Sequence, residues 1–219
     1  MKHFGITDPQ IEDYLDALLP AREAVLLDME AHAEREGVPI IGPVEGHFLY
    51  TLALGTGAKD ILEVGTAIGY SALWLAKAAQ QHEGRVVTIE KDAGMASWAE
   101  AYFRQAGLAG VCAVRRGDAA TLLRGMQESF DLIFLDILTQ MERPEAALEL
   151  LDLCVMRLRP GGLLLSDNAF RSKRVLNPPK DDPSTRGIAA FNSAIMSHPR
   201  LTSAIVPLRD GISISVKGV

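Results

Sequence analysis

Residues 60–69 read DILEVGTAIG. The first five have the apolar, β-branched make-up of a strand buried on both faces, and a glycine turn follows at once. Tyr70 to Ala79 then reads as helix. Strand, glycine turn and helix in direct succession open an α/β sheet, and the turn is where such a sheet binds its ligand.

The same rhythm continues toward the C-terminus. RVVTIE is a strand and Ala93 to Gln105 a helix; VCAVRR is a strand, followed by a short helix near Thr121–Met126. DLIFLD is the fourth strand, Pro144 to Leu158 a helix and GGLLLSD the fifth strand. Short apolar strands separated by helices predict a parallel sheet covered on both faces, with right-handed crossovers. A polar loop, RSKRVLNPPKDDPSTRG, leads to a helix ending near Ser197. LTSAIVP and GISISVK, separated by LRD, then predict a closing antiparallel hairpin.

Upstream of the opening strand the chain reads as helices. Asp8-Pro9 sets a cap and a proline at a helix start before IEDYLDALL. A second helix runs from about Ala21 to Arg35, and a third follows Gly42-Pro43 to Gly55. The expected fold is α/β: a doubly wound, mostly parallel sheet with a helical N-terminal cap. Residues 1–219 are expected to form a single domain, with the cap over 1–58 and the α/β core over 59–219.

The bulk numbers fit an ordinary globular chain: 219 residues, 48% hydrophobic and 23% charged. No apolar run approaches the roughly 18 residues of a membrane span. MKHFGITDPQ holds no apolar signal core, so a cytoplasmic location is expected. Cys112 and Cys154 lie in apolar contexts and suggest neither a metal pattern nor a disulfide framework. A net charge of −6 argues against a surface that coats nucleic acid, while leaving room for a local basic patch.

Candidate ligand-binding residues gather at the strand ends. Gly65 permits close backbone approach and Gly69 a tight helix start, but G-x-x-x-G is not the dinucleotide pattern. Glu63, before the first glycine, suits an ammonium group; Ser71, in the first helical turn, suits a carboxylate. Glu90 ends the second strand, placed to accept hydrogen bonds from ribose hydroxyls. Gly117, Asp118 and Ala119 follow the third and suit an adenine pocket. An amino-acid head, a ribose and an adenine together spell S-adenosylmethionine. Asp136 ends the fourth strand and Asp167-Asn168 the fifth. Two carboxylates and an amide oxygen are hard donors suited to Mg²⁺, Mn²⁺ or Ca²⁺. The competing reading makes Asp136 a loop cap and Asp167-Asn168 a turn.

ILEVGTAIGYSALWLA, TIEKD, RRGDA, FDLIFLD, LRPGGLLLSDN and VPLRDGISISVK together resemble the cation-dependent O-methyltransferases related to catechol and caffeoyl-CoA O-methyltransferases. The match runs in order from about residue 10 to 217. The N-terminal part is similar to a bacterial branch that includes the enzyme methylating 5-hydroxyuridine at the tRNA wobble position. The resemblance implies a Rossmann-like class I methyltransferase with strand order 3-2-1-4-5-7-6, the seventh strand antiparallel, usually as a homodimer. It implies metal ligands at Asp136, Asp167 and Asn168, with Asp136 also facing the cofactor at the catalytic centre. It implies S-adenosylmethionine contacts from Glu63, Gly65, Ser71, Glu90, Asp118 and Ala119, and from the backbone around Ile41.

One departure stands out. Relatives commonly read D-x-x-K-x-x-Y after the fourth strand; here Asp136 is followed by ILTQ, and Thr139 occupies the position of the lysine that helps remove the acceptor's proton. Three explanations compete. The metal alone acidifies the hydroxyl; another side chain, among Arg171, Lys173, Arg174 and His47, substitutes; or the acceptor has changed or activity is lost. The expected function is methyl transfer to a metal-bound hydroxyl of a small phenol or catechol-like acceptor. The alternatives are a tRNA 5-hydroxyuridine methyltransferase and a silent cofactor-binding homologue. Trp74 and Trp98 are expected to be packing residues.

Overall fold

The structure, a computed structural model, describes residues 6–218. Residues 1–5, which include part of the stretch read above for a signal core, and residue 219 lie outside the described residues. The chain divides into two compact units, one spanning Pro9–Ala119 and the other the residues from Ala120 onward with the short segment before Pro9.

In the first unit the helices are α1 (Pro9–Leu18), α2 (Ala24–Glu36), α3 (Gly42–Gly55), α4 (Tyr70–Gln81) and α5 (Ala93–Gln105). Its strands are β1 (Asp60–Val64), β2 (Arg85–Glu90) and β3 (Cys112–Arg116), all parallel, with β2 in the middle. The boundaries follow local chemistry. Pro9 and Pro43 open α1 and α3, where a missing N–H leaves nothing unsatisfied. Gly37 closes α2 in the left-handed region at φ 69°, and Asp92 caps α5 by accepting from the Met95 N–H at 2.8 Å. The second helix starts three residues later than expected, because Glu23 is extended and Arg22 is drawn into ion pairs with Asp16 and Glu30.

The second unit holds α6 (Ala119–Gly125, whose first residue closes the first unit), β4 (Phe130–Leu135), α7 (Pro144–Arg157), β5 (Leu158–Ser166), α8 (Pro183–Ser197), β6 (Leu201–Val206) and β7 (Ile212–Lys217). The strand β4 is parallel to β5, while β7 is antiparallel to both β5 and β6. Asp182 caps α8, accepting from the Thr185 N–H at 2.9 Å and its hydroxyl at 2.6 Å. Strand order across the seven is β3-β2-β1-β4-β5-β7-β6, as the resemblance implied.

Each unit has its own apolar core. Ile61, Leu62, Val64, Leu73, Leu75 and Phe103 are fully buried in the first; Leu132 to Leu135, Val155, Leu164, Leu165 and Phe191 in the second. Cys112 and Cys154 are buried free thiols, and burial pushes Cys154 up to about 12, out of reach of ionisation. Among the described residues, no helix is long and apolar enough to cross a membrane.

Candidate active site

The C-terminal ends of β1, β2 and β3 form one laced surface. The Gly65 N–H donates to the Ile89 carbonyl at 3.1 Å, and the Gly117 N–H donates to the Glu90 carbonyl at 2.8 Å. The turns that follow β1, β2 and β3 are thereby held side by side, next to Glu63, Glu90 and Asp118. Gly65 has φ 104° and Gly69 φ 89°, both in the left-handed region that a side chain disfavours. At Gly69 space is short as well, since an added Cβ would lie 2.8 Å from Cε1 of buried Phe103.

Glu63 is wholly buried in β1, directly opposite Thr88 of β2. The Thr88 hydroxyl donates to Glu63 Oε2 at 2.6 Å, and the Thr66 and Thr88 hydroxyls meet at 2.5 Å. Glu63 Oε1 has no hydrogen-bond partner. Burial raises the Glu63 carboxyl from 4.5 to about 7; the nearby Ser71 hydroxyl and that of Thr88 oppose the rise, while Glu90 adds to it. The Ser71 hydroxyl is close enough to favour the charged form, yet no hydrogen bond of good geometry reaches Oε1. An orphaned carboxylate oxygen at a glycine turn fits an incoming ammonium, which would supply both a donor and a countercharge.

Glu90, at the end of β2, fastens the turn. Its Oε2 accepts from the Ala67 N–H at 2.9 Å and its Oε1 from the Asp92 N–H at 2.8 Å. Ala67 sits at φ 45°, a costly conformation for an L residue, which the charge-assisted bond offsets. Each Glu90 oxygen keeps a second acceptor site, as ribose hydroxyls require. Asp118 is exposed in the turn after β3, and Ala119 starts α6. Ile41 is buried just before α3, and α3 packs closely on α4, where Gly46 makes room for the Trp74 indole. A further chain ties the cap to this turn: the Tyr70 hydroxyl donates to Glu30 at 2.7 Å, and Glu30 pairs with Arg22.

In the second unit, Leu135 and Ser166 are register partners on parallel β4 and β5. Asp136 and Asp167 each follow directly on these strand ends, one step beyond the last paired residues. The Asp167 N–H donates to the Leu135 carbonyl at 3.2 Å, continuing the ladder past the strand ends. Asn168, at φ 61°, donates from its backbone N–H to Asp167 Oδ1 at 2.6 Å and from Nδ2 to Oδ2 at 3.0 Å. Its amide is thereby oriented, with the oxygen left as an acceptor. Two aspartates at neighbouring strand ends and one oriented amide oxygen are a donor set whose chemistry fits a hard divalent cation. Among the described residues, no group of three or more His, Cys, Asp or Glu side chains has the arrangement of a metal site.

The segment after Asp136 is ordered. Leu138–Gln140 forms one 3₁₀ turn, Leu138 is buried, and the Ser184 hydroxyl donates to the Thr139 carbonyl at 2.9 Å. Of the basic residues considered as substitutes for the missing lysine, Arg174 pairs with Asp182 at 2.7 Å. His47, in the first unit, packs edge-on to Trp74 at 6.0 Å. Trp74 is buried as expected, whereas Trp98 is 51% exposed and lies edge-on to His32 at 4.5 Å. Sequence reasoning missed Thr66 and Thr88; the available signal was a hydroxyl in the otherwise apolar run before Glu90.

Comparison with known proteins identifies the family. The O-methyltransferase family model matches residues 24–218. A catechol O-methyltransferase of Niastella koreensis is 30% identical over 217 residues, covering 94% of this chain and 96% of that protein. The crystal structure of an O-methyltransferase from Bacillus cereus in complex with S-adenosylhomocysteine superposes with a TM-score of 0.84 at 28% identity, covering 95% of this chain and 97% of that one. A methyltransferase structure from Geobacter sulfurreducens gives a TM-score of 0.81 at 25% identity, over all of both chains. The chain belongs to the O-methyltransferase family and is an S-adenosylmethionine-dependent O-methyltransferase of the class I fold.

Proposed function

We propose that this enzyme methylates a hydroxyl of a small phenol or catechol-like acceptor, held at a divalent cation by Asp136, Asp167 and Asn168. The observation that carries the metal reading is the register of β4 and β5, which sets the two aspartates one step beyond paired strand ends with Asn168 locked against Asp167. The similarity to a catechol O-methyltransferase of nearly equal length supports the acceptor class. A bound divalent cation would lower the pKa of the acceptor hydroxyl and fix its orientation.

The remaining roles fall to this chain's own residues. Glu63 holds the cofactor's amino-acid end, and Glu90 takes the ribose while keeping the Ala67 turn closed. Positioning of the donor methyl and the acceptor oxygen supplies much of the rate. In the transfer, the carbon–sulfur bond of the sulfonium breaks and a carbon–oxygen bond forms; the cofactor leaves as a neutral thioether and the acceptor's proton goes to solvent. Thr139 stands where relatives carry a lysine, so acceptors whose hydroxyl is already acidic are favoured. The loop basic residues are partly neutralised by the Arg174–Asp182 pair, and the net charge of −6 disfavours a large polyanion. A homodimer accords with α1, whose Ile11, Tyr14 and Leu18 share one exposed face.

The test is a parallel screen of catechols and 5-hydroxyuridine in tRNA, each with Mg²⁺ or Mn²⁺ and with a chelator. Metal-dependent methylation of a catechol is expected. Methylation of tRNA alone would replace the acceptor assignment, and turnover of neither would favour a silent homologue.

A further inference from the structure

Two buried hydroxyls support Glu63 in a way the transfer reaction does not itself require. Thr88 is wholly buried and Thr66 is 2% exposed. Thr88 faces Glu63 across the β1–β2 ladder and Thr66 follows Gly65 in the turn. Hydroxyl chemistry gives this chain a direction. An ionised carboxylate only accepts, so Thr88 spends its single proton on Glu63 Oε2, and Thr66 must then donate to Thr88. The line Thr66 to Thr88 to Glu63 is thus oriented by the charge at its end. It engages Oε2 and leaves Oε1 as the oxygen without a partner.

We infer that Thr88, backed by Thr66, is a positioning residue for cofactor uptake: it fixes Oε2 of Glu63 and so reserves Oε1 for the ammonium of the cofactor's amino-acid end. The inference rests on the cofactor reading of the glycine turn. Two consequences separate it from ordinary packing. The Thr88 hydroxyl favours the charged carboxylate, so its removal makes Glu63 hold its proton more tightly. Ligand uptake through an ammonium requires the ionised form, so affinity rises with pH and levels off once Glu63 is ionised. The groups set against Glu63 are consistent with this. Glu90 at the end of β2 opposes its ionisation, Cys112 on β3 is a buried neutral thiol pushed up by burial and by Glu63, and α4 offers only the Ser71 hydroxyl.

The experiment is calorimetric titration of the full chain with S-adenosylhomocysteine between about pH 5.5 and 8.5. 5′-Methylthioadenosine, which shares the nucleoside but lacks the amino-acid head, serves as the second probe. Wild type should bind S-adenosylhomocysteine about tenfold more weakly at pH 6 than at pH 8. Thr88→Val, nearly isosteric, should move the inflection upward and weaken binding about tenfold at pH 7, with methylthioadenosine affinity unchanged. Thr88→Ser should restore both the affinity and the inflection. Thr66→Val is the second variant if Thr88→Val does not fold, and should shift the inflection in the same direction. Failure of the wild type to bind either probe would remove the cofactor reading. Wild-type binding with an unmoved inflection in Thr88→Val, or equal loss for both probes, would overturn the positioning role alone.

Discussion

Glu63→Gln should make the unliganded protein more stable at alkaline pH while removing its grip on the cofactor. In the native state Glu63 is wholly buried, and its carboxyl is raised from 4.5 to about 7, chiefly by burial. That rise corresponds to about 3 kcal/mol. The sign follows from linkage. The folded protein binds this proton more tightly than the unfolded chain, so the Glu63 contribution is fully present below about pH 4.5 and is lost as pH rises through about 7. Glutamine preserves the shape and can still accept from Thr88, but it carries no charge to desolvate. Its buried NH₂ adds a cost of about 1–3 kcal/mol that does not vary with pH. Urea unfolding of both proteins, without ligand, at half-unit steps from about pH 4.5 to 8.5 measures the difference. The variant's stability relative to wild type should climb by about 3 kcal/mol across that range, most steeply between about pH 5 and 7. S-adenosylhomocysteine at one fixed concentration should stabilise wild type more than the variant. Parallel pH profiles for the two proteins would mean that Glu63 carries no raised pKa in the folded state.

Gly69→Ala should destabilise the fold by about 2–4 kcal/mol in urea unfolding, since it combines a φ of 89° with a Cβ 2.8 Å from Phe103; a change below about 1 kcal/mol would mean the turn relaxes freely. Thr139→Lys should raise turnover on weakly acidic phenols by about 10²-fold or more if only a base is missing. No gain on any phenol, at unchanged cofactor affinity, would locate the change in the acceptor pocket.

Much of the architecture was legible because local chemistry and tertiary packing agree. The boundaries of α3, β1, β2 and α5 coincide with proline, glycine and β-branched punctuation, and Asp136 and Asp167-Asn168 do stand at neighbouring strand ends. Where a residue's partner lies on another element, the sequence was silent. RVVTIE reads as a strand whichever way Thr88 faces; only the pairing of Glu63 with Thr88 shows that its hydroxyl meets a buried acid. The fifth strand starts at Leu158, three residues ahead of the Gly161 that opens the expected GGLLLSD, because Phe130 pairs with Leu158 before a register shift that accommodates the proline and glycines. Trp98 likewise has the composition of a core residue. On α5 it stacks beside Tyr102 of the same helix and meets His32 of α2 edge-on, and it stays half exposed.

The most direct test of the account is methyl transfer from S-adenosylmethionine to catechol by wild type and Asp167→Ala, each with Mg²⁺ or Mn²⁺ and with chelator, alongside binding of S-adenosylhomocysteine. Asp167 lies in the second unit, whereas Glu63 and Glu90, proposed above as the cofactor's ligands, lie in the first, so the two readouts should separate. Turnover is expected from wild type only with metal, none from Asp167→Ala, and cofactor binding is expected to be retained in both. Turnover by Asp167→Ala, or by chelated wild type, at the metal-loaded rate would contradict the metal reading.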